Sequence, residues 1–223
     1  MTEQDKKYIA FVLKCNWGKK VPERVFYDQG IKELKRYFFE IYSSVIKERG
    51  ADLLVTDKER KVLSHLFNWA ICSPDFKGDL QKGLYLASGQ GFGKDVLITT
   101  IIRFLAEFDF NFRRFTHDDF LMNWFEKVPA FFNGLIAIND IDEYGKLKKH
   151  REAIPFLELL NYREQINSRR GLIVSTNYKP DILQKALEHD RPVKKLEQRI
   201  IECFNIVMIL NADSKRRESK IEL

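Results

Sequence analysis

Residues 83–95 read Gly-Leu-Tyr-Leu-Ala-Ser-Gly-Gln-Gly-Phe-Gly-Lys-Asp. An apolar run ends at Ala87, a glycine-rich turn follows, and Lys94 opens a second apolar run that reaches Leu105. That order predicts a buried strand, a loop and a helix, the layout of a phosphate-binding loop. Gly89, Gly91 and Gly93 permit backbone angles and close approaches that side chains would forbid, so successive amides can point inward at an anion. Lys94 would then reach the β- and γ-phosphates of a nucleotide, with Ser88, Gln90 and Phe92 completing the loop. Two positions depart from the usual pattern: Ser88 stands where the first glycine is expected, and Asp95 where a magnesium-binding Ser or Thr is expected. The plainer alternative, a merely flexible turn, has to be weighed against the motifs downstream.

Outward from the loop, the rhythm after Gly83 alternates strand and helix. Strands are expected at 83–87, 110–115, 134–138, 171–175 and 205–210, and helices at 94–107, 117–126, 150–167, 180–187 and 193–203. This predicts an α/β fold with a parallel five-stranded sheet and crossover helices on both faces. Thr116 or Asp118 is suited to cap the helix from 117. Upstream, residues 1–79 read mainly as helix. Ile31, Leu34, Tyr37, Phe38, Ile41, Tyr42 and Val45 recur every three to four residues and stop at Gly50. A second amphipathic helix starts near Asp57, carries Val62, Leu63, Leu66, Phe67 and Ala70, and ends before Pro74. The expected division is a helical segment over 1–79, recruiting a partner or packing on the core, and a nucleotide-binding core over 80–223. The charged tail from Asp213 is expected to fray.

The chain of 223 residues, with 44% hydrophobic and 13% aromatic residues, is long and apolar enough for a substantial core, which excludes general disorder. No 18-residue apolar run predicts a membrane span, and Met1 to Lys7 has no apolar segment of a secretory signal, so a cytoplasmic protein is expected. Cys15, Cys72 and Cys203 lack metal-binding spacing and read as reduced thiols. A net charge of +6 permits contact with a phosphate backbone without requiring it.

Two more strand ends carry polar groups. The run Gly134-Leu-Ile-Ala-Ile138 leads into Asn139-Asp140-Ile141-Asp142-Glu143, and Gly171-Leu-Ile-Val-Ser-Thr176 leads into Asn177. Such groups at the carboxyl ends of buried strands face the crevice where α/β sheets bind ligands. Asp140 is placed to orient an attacking water, and Asn177 to hold that water or the γ-phosphate without adding charge. Against this, Asp142 and Glu143 fit a capping role equally well, and Asn177 could simply begin the turn before Pro180.

Taken together, Lys82–Lys94, Ile136–Asp140, Tyr144-Gly145, Val174–Asn177, Gln198–Asn205 and Ser214–Arg217 resemble the motifs of the DnaC/IstB group of AAA+ ATPases, which are helicase loaders and transposition helpers. The resemblance covers roughly 80–217. It implies that ATP or ADP binds at Lys94 and the loop amides, that Asp140 positions water and that Asn177 senses the γ-phosphate. It further implies that Arg199 serves a neighbouring subunit as an arginine finger and that Arg216 or Arg217 is a second sensor. A solvated basic helix and tail is the alternative for these arginines. The order and spacing of the motifs are similar to those of loaders in bacterial and mobile-element replication systems, which makes a phage or mobile element one expected source.

Asp95 and Asn139 exchange the expected hydroxyl and carboxylate at two positions that face one metal in this group. One expectation is that Mg²⁺ is still held by Asp95, Asn139 and Asp140, with the charge donated from the loop. The competing one is repulsion of the phosphates by Asp95: at ~4 Å and an effective dielectric of ~20, a like-charge pair costs about 4 kcal/mol. ATP hydrolysis could therefore be retained, weak or lost. The leading functional expectation is an ATPase that assembles side by side with its own copies on single-stranded DNA and loads or remodels a replicative helicase. The aromatic and basic residues of Phe110–Arg114 and Lys146–Arg151 are candidates for the DNA path, and a solvated charge run accounts equally well for the second stretch. The alternatives are a non-hydrolysing AAA+ interaction protein and a helper ATPase partnered with a transposase.

Overall fold

A computed structural model of the chain describes residues 3–17, 22–25, 30–50, 55–89, 93–125, 134–141, 153–187 and 195–209. Three helices lead: α1 (Glu3–Trp17), α2 (Ile31–Glu48) and α3 (Asp57–Ala70). α2 buries Leu34, Phe38, Tyr42, Val45 and Ile46, one stripe at helical spacing. α3 begins in a capping box, in which the Thr56 hydroxyl accepts from Glu59 N at 3.3 Å and the Glu59 carboxylate accepts from Thr56 N at 3.0 Å.

From Gly83 the expected alternation is present. β1 (Gly83–Ala87), α4 (Lys94–Ala106), β2 (Arg113–Thr116), α5 (His117–Phe125) and β3 (Ile136–Asn139) are followed by α6 (Ala153–Gln165), β4 (Leu172–Thr176), α7 (Pro180–Leu187), α8 (Leu196–Cys203) and β5 (Phe204–Met208). All strand pairs are parallel, in the order β2-β3-β4-β1-β5. Every residue of β1, β3 and β4 is buried, as central strands covered on both faces require, while β2 and β5 form the more exposed edges. Leu84 and Leu86 point into a core shared with α2, α3 and α4. Tyr85 and Ala87 point into a second core with Phe120 of α5, Leu159 of α6 and Ile200 of α8.

The start of one strand differs from the sequence reading by three residues. β2 starts at Arg113 and not at 110, because Phe110 and Phe112 turn aside to pack on Trp17, with ring centroids 5.1 and 6.2 Å away. Of the two cap candidates for α5, Thr116 is the one used, its hydroxyl accepting from Asp119 N at 3.1 Å.

The leading helices share the first core with the sheet, from Ile9 to Ile209. Arg170, 5% exposed, ties the two parts together. Its guanidinium donates to Leu80 O and Trp69 O, both at 2.7 Å, and to Cys72 Sγ at 2.9 Å. It also lies 4.3 Å from the ring centroid of Trp17 and 5.2 Å from that of Trp69. One buried cation thus gathers carbonyls and indoles from α1, α3 and the approach to β1.

Candidate nucleotide site

The register of the sheet brings the polar strand ends to one edge. Ala87 pairs with Thr176 and Ile138 with Val174, so Ser88, Asn139–Asp140 and Asn177 emerge side by side. Two bonds tie the loops there: Ser88 N donates to Thr176 O at 3.3 Å and Ile141 N to Ser175 O at 3.0 Å. Asp140 adopts a positive φ of 53°, and its amide donates to Ser175 Oγ at 3.1 Å. The turn after β3 is fixed by β4, and β1 lies just beyond. The edge is the switch point of the sheet, since β1 leads by α4 to the far edge strand β2, whereas β4 leads by α7 and α8 to β5 on the other side.

Gly93, in the left-handed region with φ 75°, caps α4, a conformation that suits glycine. Lys94, 6% exposed, folds back over the loop. Its Nζ donates to Asn177 Oδ1 at 2.6 Å, to Ser88 O at 3.1 Å, and to Ser88 Oγ and Gly89 O at 3.2 Å. The lysine of the loop and the asparagine after β4, 83 residues apart, are thus in direct contact. Gln90, Gly91 and Phe92 lie outside the described residues, as do Arg216, Arg217, Tyr144-Gly145 and the Lys146–Arg151 stretch.

Among the described residues, the Asp95 carboxylate has three side-chain partners. Arg49, just past the end of α2, and Arg114 of β2 both form ion pairs with its carboxylate. Asn139 Nδ2 donates to Asp95 Oδ1 at 2.8 Å. Arg114 also donates to Thr99 Oγ1 at 3.0 Å. Burial first, then the like charge of Arg49, lowers the Arg114 pKa, and Asp140 pulls it back up; a guanidinium so placed stays charged. α2 ends across the middle of α4: Glu48 takes Arg103 in a two-pronged pair at 2.6 and 2.7 Å, while Arg49 reaches the other way to Asp95.

Solved structures with this arrangement of strands and helices include DnaI, with a TM-score of 0.59 at 20% identity, covering 79% of this chain and 93% of that one. The DnaC helicase loader aligns with a TM-score of 0.51 at 17% identity, over 69% of this chain and 91% of the loader. The replication initiator DnaA bound to AMPPCP and single-stranded DNA aligns with a TM-score of 0.54 at 16% identity, over 74% of this chain but only 50% of DnaA. The fold is a DnaC-like AAA+ fold. No protein-family model and no curated protein matches the sequence.

Within this AAA+ fold, Lys94, Asp95, Asn139, Asp140 and Asn177 lie along one edge of the sheet. Arg199 lies apart from them, towards the opposite end of the sheet on α8, paired with Glu164 of α6 and, at 2.7 Å, with Glu202. The arginines at Asp95 were not assigned to this site by the sequence: Arg114 was grouped with a DNA path, and Arg49 carried no signal at all. Their pairing depends on how α2 and β2 pack around α4, which no local pattern encodes. A small, mainly apolar cavity of about 20 Å³ lies beside Gly93, between Tyr42, Ile46 and Val62 of the leading helices and Val96 and Leu97 of α4.

The donor set around Asp95 does not fit the Mg²⁺ that the fold family implies. The Asp95 carboxylate already carries two guanidiniums and an amide, where Mg²⁺ needs open oxygen donors. Asn139 offers Oδ1, which is buried and has no hydrogen-bond partner among the described residues, but this is a neutral amide in place of a carboxylate. Among the described residues no three His, Cys, Asp or Glu side chains converge on a metal position.

Proposed function

We propose that this protein is an ATP-binding AAA+ switch that assembles with its own copies on single-stranded DNA and loads or remodels a replicative helicase in the cytoplasm. The observation that carries the reading is the contact of Lys94 with Asn177 at the switch point of a DnaC-like sheet. A cation from the loop and a neutral amide from β4 meet where a γ-phosphate would lie, so a triphosphate entering there would separate the pair and be read by both. The structural neighbours support the class of ligand and partner: DnaA is bound to AMPPCP and single-stranded DNA, and DnaC is a helicase loader. On this reading Asp140 orients water, Arg199 works across a subunit contact, and the leading helices offer the partner-binding surface. No helix among the described residues is long and apolar enough to cross a membrane.

The test is ATP binding by calorimetry together with the binding of a labelled oligonucleotide. ATP should bind, and should tighten the protein's hold on single-stranded DNA. An oligonucleotide affinity indifferent to nucleotide, with no heat on adding ATP, would refute the proposal. That outcome would favour a second reading, a nucleotide-independent interaction protein, whose support is that Lys94 and Asp95 already find intramolecular partners.

A further inference from the structure

We infer that the site binds a nucleoside triphosphate without a divalent cation, Arg49 and Arg114 supplying the positive charge that a metal supplies elsewhere; this rests on the nucleotide-binding reading above. The juxtaposition that points to it is at Asp95. In a phosphate-binding loop the residue after the lysine holds the metal that bridges the β- and γ-phosphates. Here that residue holds two guanidiniums instead.

The charge balance agrees. In the usual arrangement a lysine and a doubly charged metal face two strand-end carboxylates, leaving a net +1. Here Lys94, Arg49 and Arg114 face Asp95 and Asp140, again leaving +1. Asp95 takes the place of the hydroxyl and anchors the arginines. Asn139 takes the place of the strand carboxylate, and its amide N–H braces Asp95, where a second carboxylate would repel it. The two departures from the loop pattern are thus explained by one arrangement.

The chemistry suits the ligand. Guanidiniums present planar pairs of N–H donors that match phosphate oxygens. Both arginines are held: Arg114 by strand pairing and by Thr99 Oγ1, and Arg49 by the helix end that the Glu48–Arg103 pair fixes to α4. Neither is locked away, since the side chains of Arg49 and Arg114 are 42% and 37% exposed. Arg49 belongs to the leading helices, so bound phosphate would also couple their position to the state of the site.

The experiment is a calorimetric titration of the full chain with ATP, once in excess Mg²⁺ and once in EDTA. The two dissociation constants should agree within about threefold. Arg49→Gln and Arg114→Gln should each weaken binding in EDTA by about tenfold, or about 1.4 kcal/mol. Lys185→Gln, an exposed charge in the last turn of α7, should leave it unchanged. A loss of affinity beyond tenfold on moving from Mg²⁺ to EDTA overturns the inference and leaves nucleotide binding standing. Absence of binding in both conditions overturns nucleotide binding itself. The wild-type comparison decides even if an arginine variant does not fold.

Discussion

Replacing Arg170 by Met should unfold the protein more easily while keeping the volume of the site nearly filled. The change leaves Leu80 O and Trp69 O, each 2.7 Å from a guanidinium nitrogen, without their donors. A buried acceptor stripped of its partner costs about 1–3 kcal/mol, and the stacking of the cation on Trp17 and Trp69 adds about 0.5–2 kcal/mol. Methionine recovers part of this, because the guanidinium no longer has to be desolvated. The net expectation is a loss of about 3 kcal/mol. For a chain of this size about 1 kcal/mol lowers Tm by roughly 2–4 °C, so Tm should fall by roughly 6–12 °C. Urea unfolding followed by tryptophan fluorescence and by far-UV circular dichroism measures both the loss and its extent. Two of the three tryptophans, Trp17 and Trp69, lie in the leading helices and the third, Trp124, in α5, whereas the dichroism reports on the whole chain. The two signals should move together in the parent protein and in Arg170→Met, since helices and sheet share one core. A stability change below about 1 kcal/mol would refute the structural role assigned to Arg170. Fluorescence and dichroism curves that separate in the parent protein would refute the shared core.

Three further outcomes follow from particular contacts. Gly83→Ala places a Cβ 2.1 Å from Leu172 O, inside the β1–β4 pairing, and should cost several kcal/mol or abolish soluble expression; a melting curve like the parent's would contradict the close approach. His117 is 3% exposed, and burial holds its pKa at about 4, below the ordinary 6.5. The unfolded chain therefore takes up a proton near pH 6.5 that the folded chain refuses until about pH 4, so stability falls as pH drops through that window, by up to about 3 kcal/mol. His117→Gln should flatten the urea midpoint between these pH values, and an unchanged slope would count against the assignment. Asp95→Thr with Asn139→Asp removes the anchor of the arginines and rebuilds hydroxyl and carboxylate donors. ATP binding by this double variant should become at least tenfold tighter in Mg²⁺ than in EDTA, and the same affinity in both would argue against the role of Asp95.

Much of the architecture was legible because it is written at short range. Short continuous apolar runs set the strands and three- to four-residue spacing set the helices, and the glycine loop between an apolar strand and an apolar helix placed the site at the end of β1. The polar residues after β3 and β4 were readable for the same reason: a fully buried strand that ends in Asn or Asp has to release those groups at an edge. Where local reading stopped short, at Phe110 and Phe112, the cause was Trp17 of α1 drawing their rings out of the strand.

The sequence by itself thus determined the alternation of elements that implies a parallel sheet, the position of Lys94 at the start of a helix and those of Asp140 and Asn177 at strand ends, since each is read from neighbours within a few residues. Tertiary structure alone decided what Asp95 holds and what holds the leading helices in place. Arg49 and Arg114 come from elements on either side of α4, and Arg170 meets Trp69 across 101 residues of sequence. An ion pair or a buried cation takes its meaning from partners that only packing brings within reach, and long-range packing leaves no periodic trace in the chain.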